Sequence, residues 1–184
     1  MSRLEIRLAG MGGQGMVLAG IILADAAIRD GKNAAQTQNY GPEARGGASR
    51  SEVVISDEQI DYPEVTEADI LLCMSQEACD RYYGSLRKNG LLLIDTTYVK
   101  RTPTAQAVGG AFTTWALETT DREVTASVLA LAFLASLTDL VSRPALEEAV
   151  TGRTPPGTAE LNLKAVARGY MAAEEFKHRW RRST

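Results

Sequence analysis

The sequence predicts an α/β protein: a Rossmann-like three-layer sandwich with a mostly parallel sheet, a β-hairpin insertion and a helical C-terminal part. Three observations carry this expectation. Residues 4–15 read LEIRLAGMGGQG, an alternating strand that runs into a glycine-dense turn and then an apolar helix. Two later runs, ADILLCM and LLLID, are apolar but for Asp69 and Asp95, as strands covered on both faces are. Helical patterns separate these runs, and strands alternating with helices build parallel sheets.

In the first strand Leu4, Ile6 and Leu8 alternate with Glu5 and Arg7. Gly10, Gly12 and Gly15 then fit G-x-G-x-x-G, in which glycines make the turn, admit a ligand's phosphates and let helix pack on strand. The helix expected over 15–30 carries Val17, Leu18, Ile21, Ile22, Ala26 and Ile28, a wide apolar surface, and Gly31 stops it. Its first N–H groups point at whatever occupies the turn. A second strand is expected over 33–38. It ends in Thr37, Gln38, Asn39 and Tyr40 without the carboxylate that would hold a dinucleotide ribose, which disfavours NAD.

Residues 40–47, YGPEARGG, form a loop that combines Pro42, three glycines and the charges of Glu43 and Arg45. Residues 48–56 alternate as a strand, and 60–62 are expected to return beside it as a hairpin. Strand 68–74 follows, then a helix over 76–86 with Gly90 as its C-terminal glycine, then strand 91–95. Asp95 falls at the strand end, the ligand-facing edge of open α/β sheets. Further strands are expected near 105–108 and 112–115, the latter anchored by Trp115. Asp121 is placed to cap a buried helix over 122–137, and helices over 143–150 and 158–179 complete the chain. There is no internal repeat and no linker, so residues 1–184 are expected to form a single domain.

Composition narrows the function. With 45% hydrophobic and 23% charged residues and a net charge of −3, the chain has neither the basic excess of a nucleic-acid binder nor a membrane span. A cytoplasmic protein without membrane insertion is expected. Cys73 and Cys79 are two thiols, against the about four ligands that an iron–sulfur cluster takes. The single histidine, His178, lies among cations at a helix end, a place the helix dipole favours and catalysis does not.

GMGGQG at 10–15 and NYGPEARGG at 39–47 occur together, followed by SEVVIS ending at Ser56 and ELNLKAVARGY at 160–170. With these the chain resembles, over nearly its whole length, the gamma subunit of 2-oxoacid:ferredoxin (or other acceptor) oxidoreductases. One departure stands out: the family often has an asparagine near the start of the buried helix, where this chain has Ala126 and Ser127.

The resemblance implies oxidative decarboxylation of a 2-oxoacid to an acyl-coenzyme A within a heteromeric complex. 2-Oxoglutarate is the first choice of substrate; pyruvate and branched-chain 2-oxoacids are the alternatives. Thiamine diphosphate, Mg and iron–sulfur clusters would sit on partner subunits, alpha, beta and a ferredoxin-like delta, with ferredoxin or another acceptor taking the electrons. This chain would hold no catalytic residue and no metal, and would not be active alone. Isolated, it is a candidate homodimer.

Its part would be to cradle an anionic group, best a coenzyme A phosphate, with Gly10, Gly12, Gly13, Gln14 and Gly15 as the cradle. Arg45 would be the clamp and Arg50 a weaker second, beside Tyr40, Gly46 and Gly47, since a guanidinium pairs two phosphate oxygens at once. The opposing reading makes both glycine motifs docking elements for partner subunits. Outside this family, a free-standing nucleotide-binding module and an NAD(P) oxidoreductase are the rivals.

Overall fold

The computed structural model describes residues 3–39 and 48–183. Six strands form one sheet: β1 (Leu4–Met11), β2 (Asn33–Asn39), β3 (Ala48–Ser56), β4 (Ala68–Cys73), β5 (Leu86–Asp95) and β6 (Val108–Gly110), in the order β2-β3-β1-β4-β5-β6. β1, β4, β5 and β6 pair in parallel, whereas β3 runs antiparallel to both β1 and β2. Only β3 therefore opposes the common direction.

The helices are α1 (Met16–Arg29), α2 (Gln76–Tyr82), α3 (Phe112–Thr120), α4 (Ala126–Thr138), α5 (Arg143–Arg153) and α6 (Ala159–Ser183). They load the two faces of the sheet unequally. Ile6, Leu8, Val53, Ile55, Ile70, Leu72 and Leu93 point into the large core that the helices other than α2 build. α4 lies inside that core, buried from Ala126 to Ser136. Its alanines let α6 come close, and at Gly169 a Cβ would lie 2.8 Å from the Ala132 Cβ and 3.0 Å from the Phe133 nitrogen. The opposite face is covered by the short α2, over Ala9, Leu71, Cys73, Leu92 and Ile94.

Glu5 and Arg7, on the alternate positions of β1, are buried on the α2 side. Arg7 donates through Nε to Glu52 (2.9 Å) and through Nη2 to the Val65 carbonyl (2.9 Å), and its Nη1 reaches Ser85. Glu5 accepts from Arg3 (2.8 Å) and from the Thr66 amide (3.1 Å). Buried charges persist only when paired in this way.

Several expected boundaries move. Residues 60–62 form no strand, because both edges of β3 are already taken by β2 and β1; the hairpin is β2–β3 instead. Arg3 satisfies that stretch from the side by donating to the carbonyls of Tyr62 (2.6 Å) and Glu64 (2.9 Å). The helix after β4 ends at Tyr82 and passes through a 3-10 turn into β5. Gly90 therefore lies in the strand, where a Cβ would come within 2.7 Å of Leu86 Cδ1 and 3.0 Å of the Asp69 carbonyl.

The strand expected near 105–108 lies three residues later, as β6. Residues 112–115 open α3 instead of forming a strand, for Phe112 stacks edge-on against both Trp115 (5.8 Å) and Phe133 (5.2 Å). Asp121 ends α3 in the left-handed region (φ 54°) rather than starting α4. β3 has the expected extent and α1 and β2 agree to within one residue, whereas α5 and α6 run three and four residues past their expected ends; Ser142 caps α5 ahead of Pro144.

Candidate functional site at the glycine turn

The turn after β1 sits where β1 and β4 end side by side, the edge at which open parallel sheets take ligands. Gln14 fastens it. Its Oε1 accepts from the Met11 amide (2.7 Å), and its Nε2 donates to the Met74 carbonyl at the end of β4 (3.1 Å). Each end of the side-chain amide thus makes a bond within the protein, so Gln14 shapes the turn as well as bordering its open side.

The glycines divide the remaining work. A Cβ at Gly10 would lie 2.6 Å from Gln14 Oε1, so this position must be bare for the staple to close. Gly15 has φ 76° and faces Ser127 of α4, whose Oγ would stand 2.8 Å from an added Cβ. Around Gly12 no heavy atom of the described residues, its chain neighbours aside, lies within 4 Å of that point. No side chain caps α1, whose N-cap is Gly15, so its first amides face the turn's open side.

That open side is a cleft of about 310 Å³, floored by Gly12, Gly13 and Gln14 and walled by Met74, Thr113 and Ala126. Met11, Glu123 and Val124 complete its lining. Met11 is 40% and Val124 61% exposed, high values for large apolar side chains. Glu123 Oε1 accepts from the Tyr98 hydroxyl at 2.7 Å, and this bond raises the Tyr98 pKa, keeping the proton on the phenol. The described lining contains no lysine, arginine or histidine.

Other expected residues lie elsewhere. Arg50 does not join the turn. It alternates with Ser51, which packs against α1, and so projects to the α2 face, 3.4 Å from Glu52 and 5.5 Å from the Tyr82 ring centre. Arg7 and Arg81 also approach that ring. Asp95 reaches the sheet edge but is fully buried, accepting from the Thr97 amide (3.0 Å) and the Thr113 hydroxyl (2.5 Å) to tie β5 to α3.

Tyr40, Arg45, Gly46 and Gly47 lie outside the described residues. The strand ends flanking them do not: Ala48 pairs with Met11, and Asn39 with Arg50. Cys73 and Cys79 are buried together on the α2 face; their shared hydrogen bond and burial push the Cys73 thiol well above the ordinary range. Among the described residues no cluster of His, Cys, Asp and Glu suits a metal ion, and no helix is long and apolar enough to cross a membrane.

Met74, Thr113, Glu123 and Val124 line the cleft without having been expected there from the sequence. Met74 was within reach, since it follows a buried parallel strand at the edge where ligands bind. Glu123 and Val124 precede α4 with no periodicity to mark them, and only the fold brings them to β1.

A glycine turn at the carboxyl edge of a largely parallel sheet, leading into a helix, defines a Rossmann-like α/β class of protein. Within that class the sequence matches the pyruvate ferredoxin/flavodoxin oxidoreductase family over residues 5–172, and the chain belongs to that family. It is 47% identical to the 2-oxoglutarate synthase subunit KorC of Methanocaldococcus jannaschii, over 95% of this chain and 96% of that one. With the pyruvate synthase subunit PorC of Methanothermobacter marburgensis identity is 31%, over 95% and 98% of the two chains. Among solved structures, the gamma subunit of a keto/oxoacid ferredoxin oxidoreductase from Geobacter sulfurreducens superposes with a TM-score of 0.85 at 44% identity, covering 95% of this chain and 98% of that one.

Proposed function

We propose that this chain is the gamma subunit of a 2-oxoglutarate:acceptor oxidoreductase and that its glycine turn helps to hold coenzyme A. Thiamine diphosphate, Mg and the iron–sulfur clusters belong to alpha, beta and delta partners, which also meet ferredoxin or another acceptor. The preference for 2-oxoglutarate rests on the identity with the 2-oxoglutarate synthase subunit, 47% against 31% for the pyruvate counterpart, both over nearly whole chains. The observation that carries the ligand reading is the empty space over Gly12 beside an uncapped helix start. Phosphate groups suit such a place, because several amides donate there with no described side chain in the way. Arg45 is the cation proposed to pair with them.

A second reading draws on exposed Met11 and Val124: the rim of the cleft docks a partner subunit and touches no small molecule. The experiment is reconstitution with the partner subunits, followed by viologen reduction with a panel of 2-oxoacids, with and without coenzyme A. 2-Oxoglutarate is expected to give the highest kcat/KM, by at least about tenfold (~1.4 kcal/mol of transition-state preference). A higher value with pyruvate would overturn the substrate assignment. Turnover that ignores coenzyme A would overturn the ligand assignment.

A further inference from the structure

We infer that Ser127, at the start of α4, is a ligand-binding residue whose hydroxyl donates to a phosphate oxygen of the molecule seated at the glycine turn. The inference rests on the coenzyme A reading and deepens it, by bringing a residue of a second helix into the site.

Ser127 is 1% exposed, and a buried hydroxyl left without a bond costs its desolvation with nothing in return. Every other buried serine and threonine among the described residues has a hydrogen bond. On a helix the carbonyl four residues back is the common acceptor: Thr120 donates to Ala116 (2.8 Å) and Thr138 to Leu134 (2.8 Å). Ser127 makes no such bond, and no described residue donates to its hydroxyl or accepts from it. Nor is its oxygen sealed in. The side-chain atoms that are both fully enclosed and unpartnered among the described residues are Arg168 Nη1 and Tyr170 Oη. Ser127 Oγ therefore keeps an opening. Gln14 and Ala126, the chain neighbours of Gly15 and Ser127, both line the cleft, which is where that opening leads.

The charge around this hydroxyl selects an anion. Ser127 Oγ stands 2.8 Å from the place of a Gly15 Cβ, so the start of α4 meets the start of α1. Neither helix has a side-chain cap. The N-cap of α1 is Gly15, and that of α4, Thr125, directs its hydroxyl to the Arg122 carbonyl (2.9 Å) and to Thr120 (2.8 Å). Helices of 14 and 13 residues thus bring their positive ends together, each worth about half an elementary charge. A phosphate suits that field, and a serine hydroxyl adds one directed bond to one of its oxygens. Glu123, the acid in the described lining, accepts from the Tyr98 hydroxyl at 2.7 Å, which offsets part of its charge.

The test is titration of the assembled complex with coenzyme A, comparing wild type with Ser127→Ala and Ser127→Cys. Alanine is the better helix former and cysteine nearly keeps the volume, so both variants are expected to fold and assemble. Both are expected to bind coenzyme A about fivefold or more weakly, the loss of one hydrogen bond to a charged group. The unliganded Ser127→Ala complex is expected to melt no lower than wild type, because the group removed has no partner to lose. Wild-type affinity in both variants overturns the inference and leaves the coenzyme A reading standing. Equal weakening for pantetheine, which has no phosphate, overturns it too, by tracing the loss to the shape of the site. No binding of coenzyme A by wild type overturns that reading itself. Titration with 3′-dephospho-coenzyme A identifies the source: a loss that persists belongs to the diphosphate, and a loss that vanishes belongs to the 3′-phosphate.

Discussion

Gly12→Val separates ligand binding from folding, because the structure leaves the new side chain in open space. No heavy atom of the described residues, its chain neighbours aside, lies within 4 Å of a Cβ there, and Gly12 is not in the left-handed region. Stability is expected to change by less than about 0.5 kcal/mol, as for other surface substitutions, with a small gain from a less flexible unfolded chain. The ligand experiences the opposite. Three added carbons, at a water-like share of roughly 30 Å³ each, fill more than a quarter of the cleft of about 310 Å³.

Displacing three ligand atoms worth ~0.3 kcal/mol apiece costs about 1 kcal/mol, and the KM for coenzyme A rises at least about fivefold. The assay is 2-oxoacid-dependent viologen reduction by the reconstituted complex at varied coenzyme A, with thermal unfolding of the chain as control. An unchanged KM in an intact, active complex would refute the cradle. Failure of the variant to join its partners, with its own unfolding unaltered, would assign the turn to subunit docking.

Gly169→Ala places a methyl against Ala132 and the Phe133 nitrogen where α6 crosses α4. It is expected to cost about 1–3 kcal/mol, read in a thermal scan as a fall of ~2–4 °C per kcal/mol for a chain of this size. Arg7→Met leaves Glu52 buried with Arg50 as its remaining cation, at 3.4 Å, and should destabilise by about 3–5 kcal/mol in urea unfolding. Arg153 donates to Asp25 (3.2 Å), and that bond, opposed by burial and aided by Arg29, holds the Asp25 carboxyl below the usual range. A depressed folded pKa gives stability that is present above the unfolded value, near pH 4, and lost as pH falls through the folded one. Asp25→Asn should therefore remove up to about 1 kcal/mol at pH 7 and flatten that part of the acid unfolding curve. An equal slope below pH 4 in both proteins would refute the pairing.

The sheet and the turn were legible because their signals are local. Alternation in LEIRL, two continuous apolar runs and three spaced glycines locate β1, β4, β5 and the start of α1 without tertiary information. Misreadings arose where a partner decided the structure. Residues 112–115 alternate well enough for a strand, yet Phe112 and Trp115 three apart build one helix face against Phe133. Residues 60–62 had strand residues but no open edge to join. For Arg50 the parity with Glu52 and Val54 was readable, but not which face would carry α2 and its arginines. Glu123 reaches the cleft by a path of tertiary contacts that no spacing in the chain encodes.

The enclosure of α4 has a consequence for motion. A helix with no exposed side can exchange its amide protons with solvent only when the whole domain opens, so α4 belongs to the slowest-exchanging part of the molecule. Gly15 abuts Ser127 near the start of that helix, which moors the glycine turn to the most persistent structure in the chain. The turn is accordingly a fixed anvil rather than a gate. Within the described cleft, adjustment to an arriving molecule falls to the rotamers of Met11 and Val124 at its mouth, on the nanosecond scale of exposed side chains rather than the slower scale of domain closure.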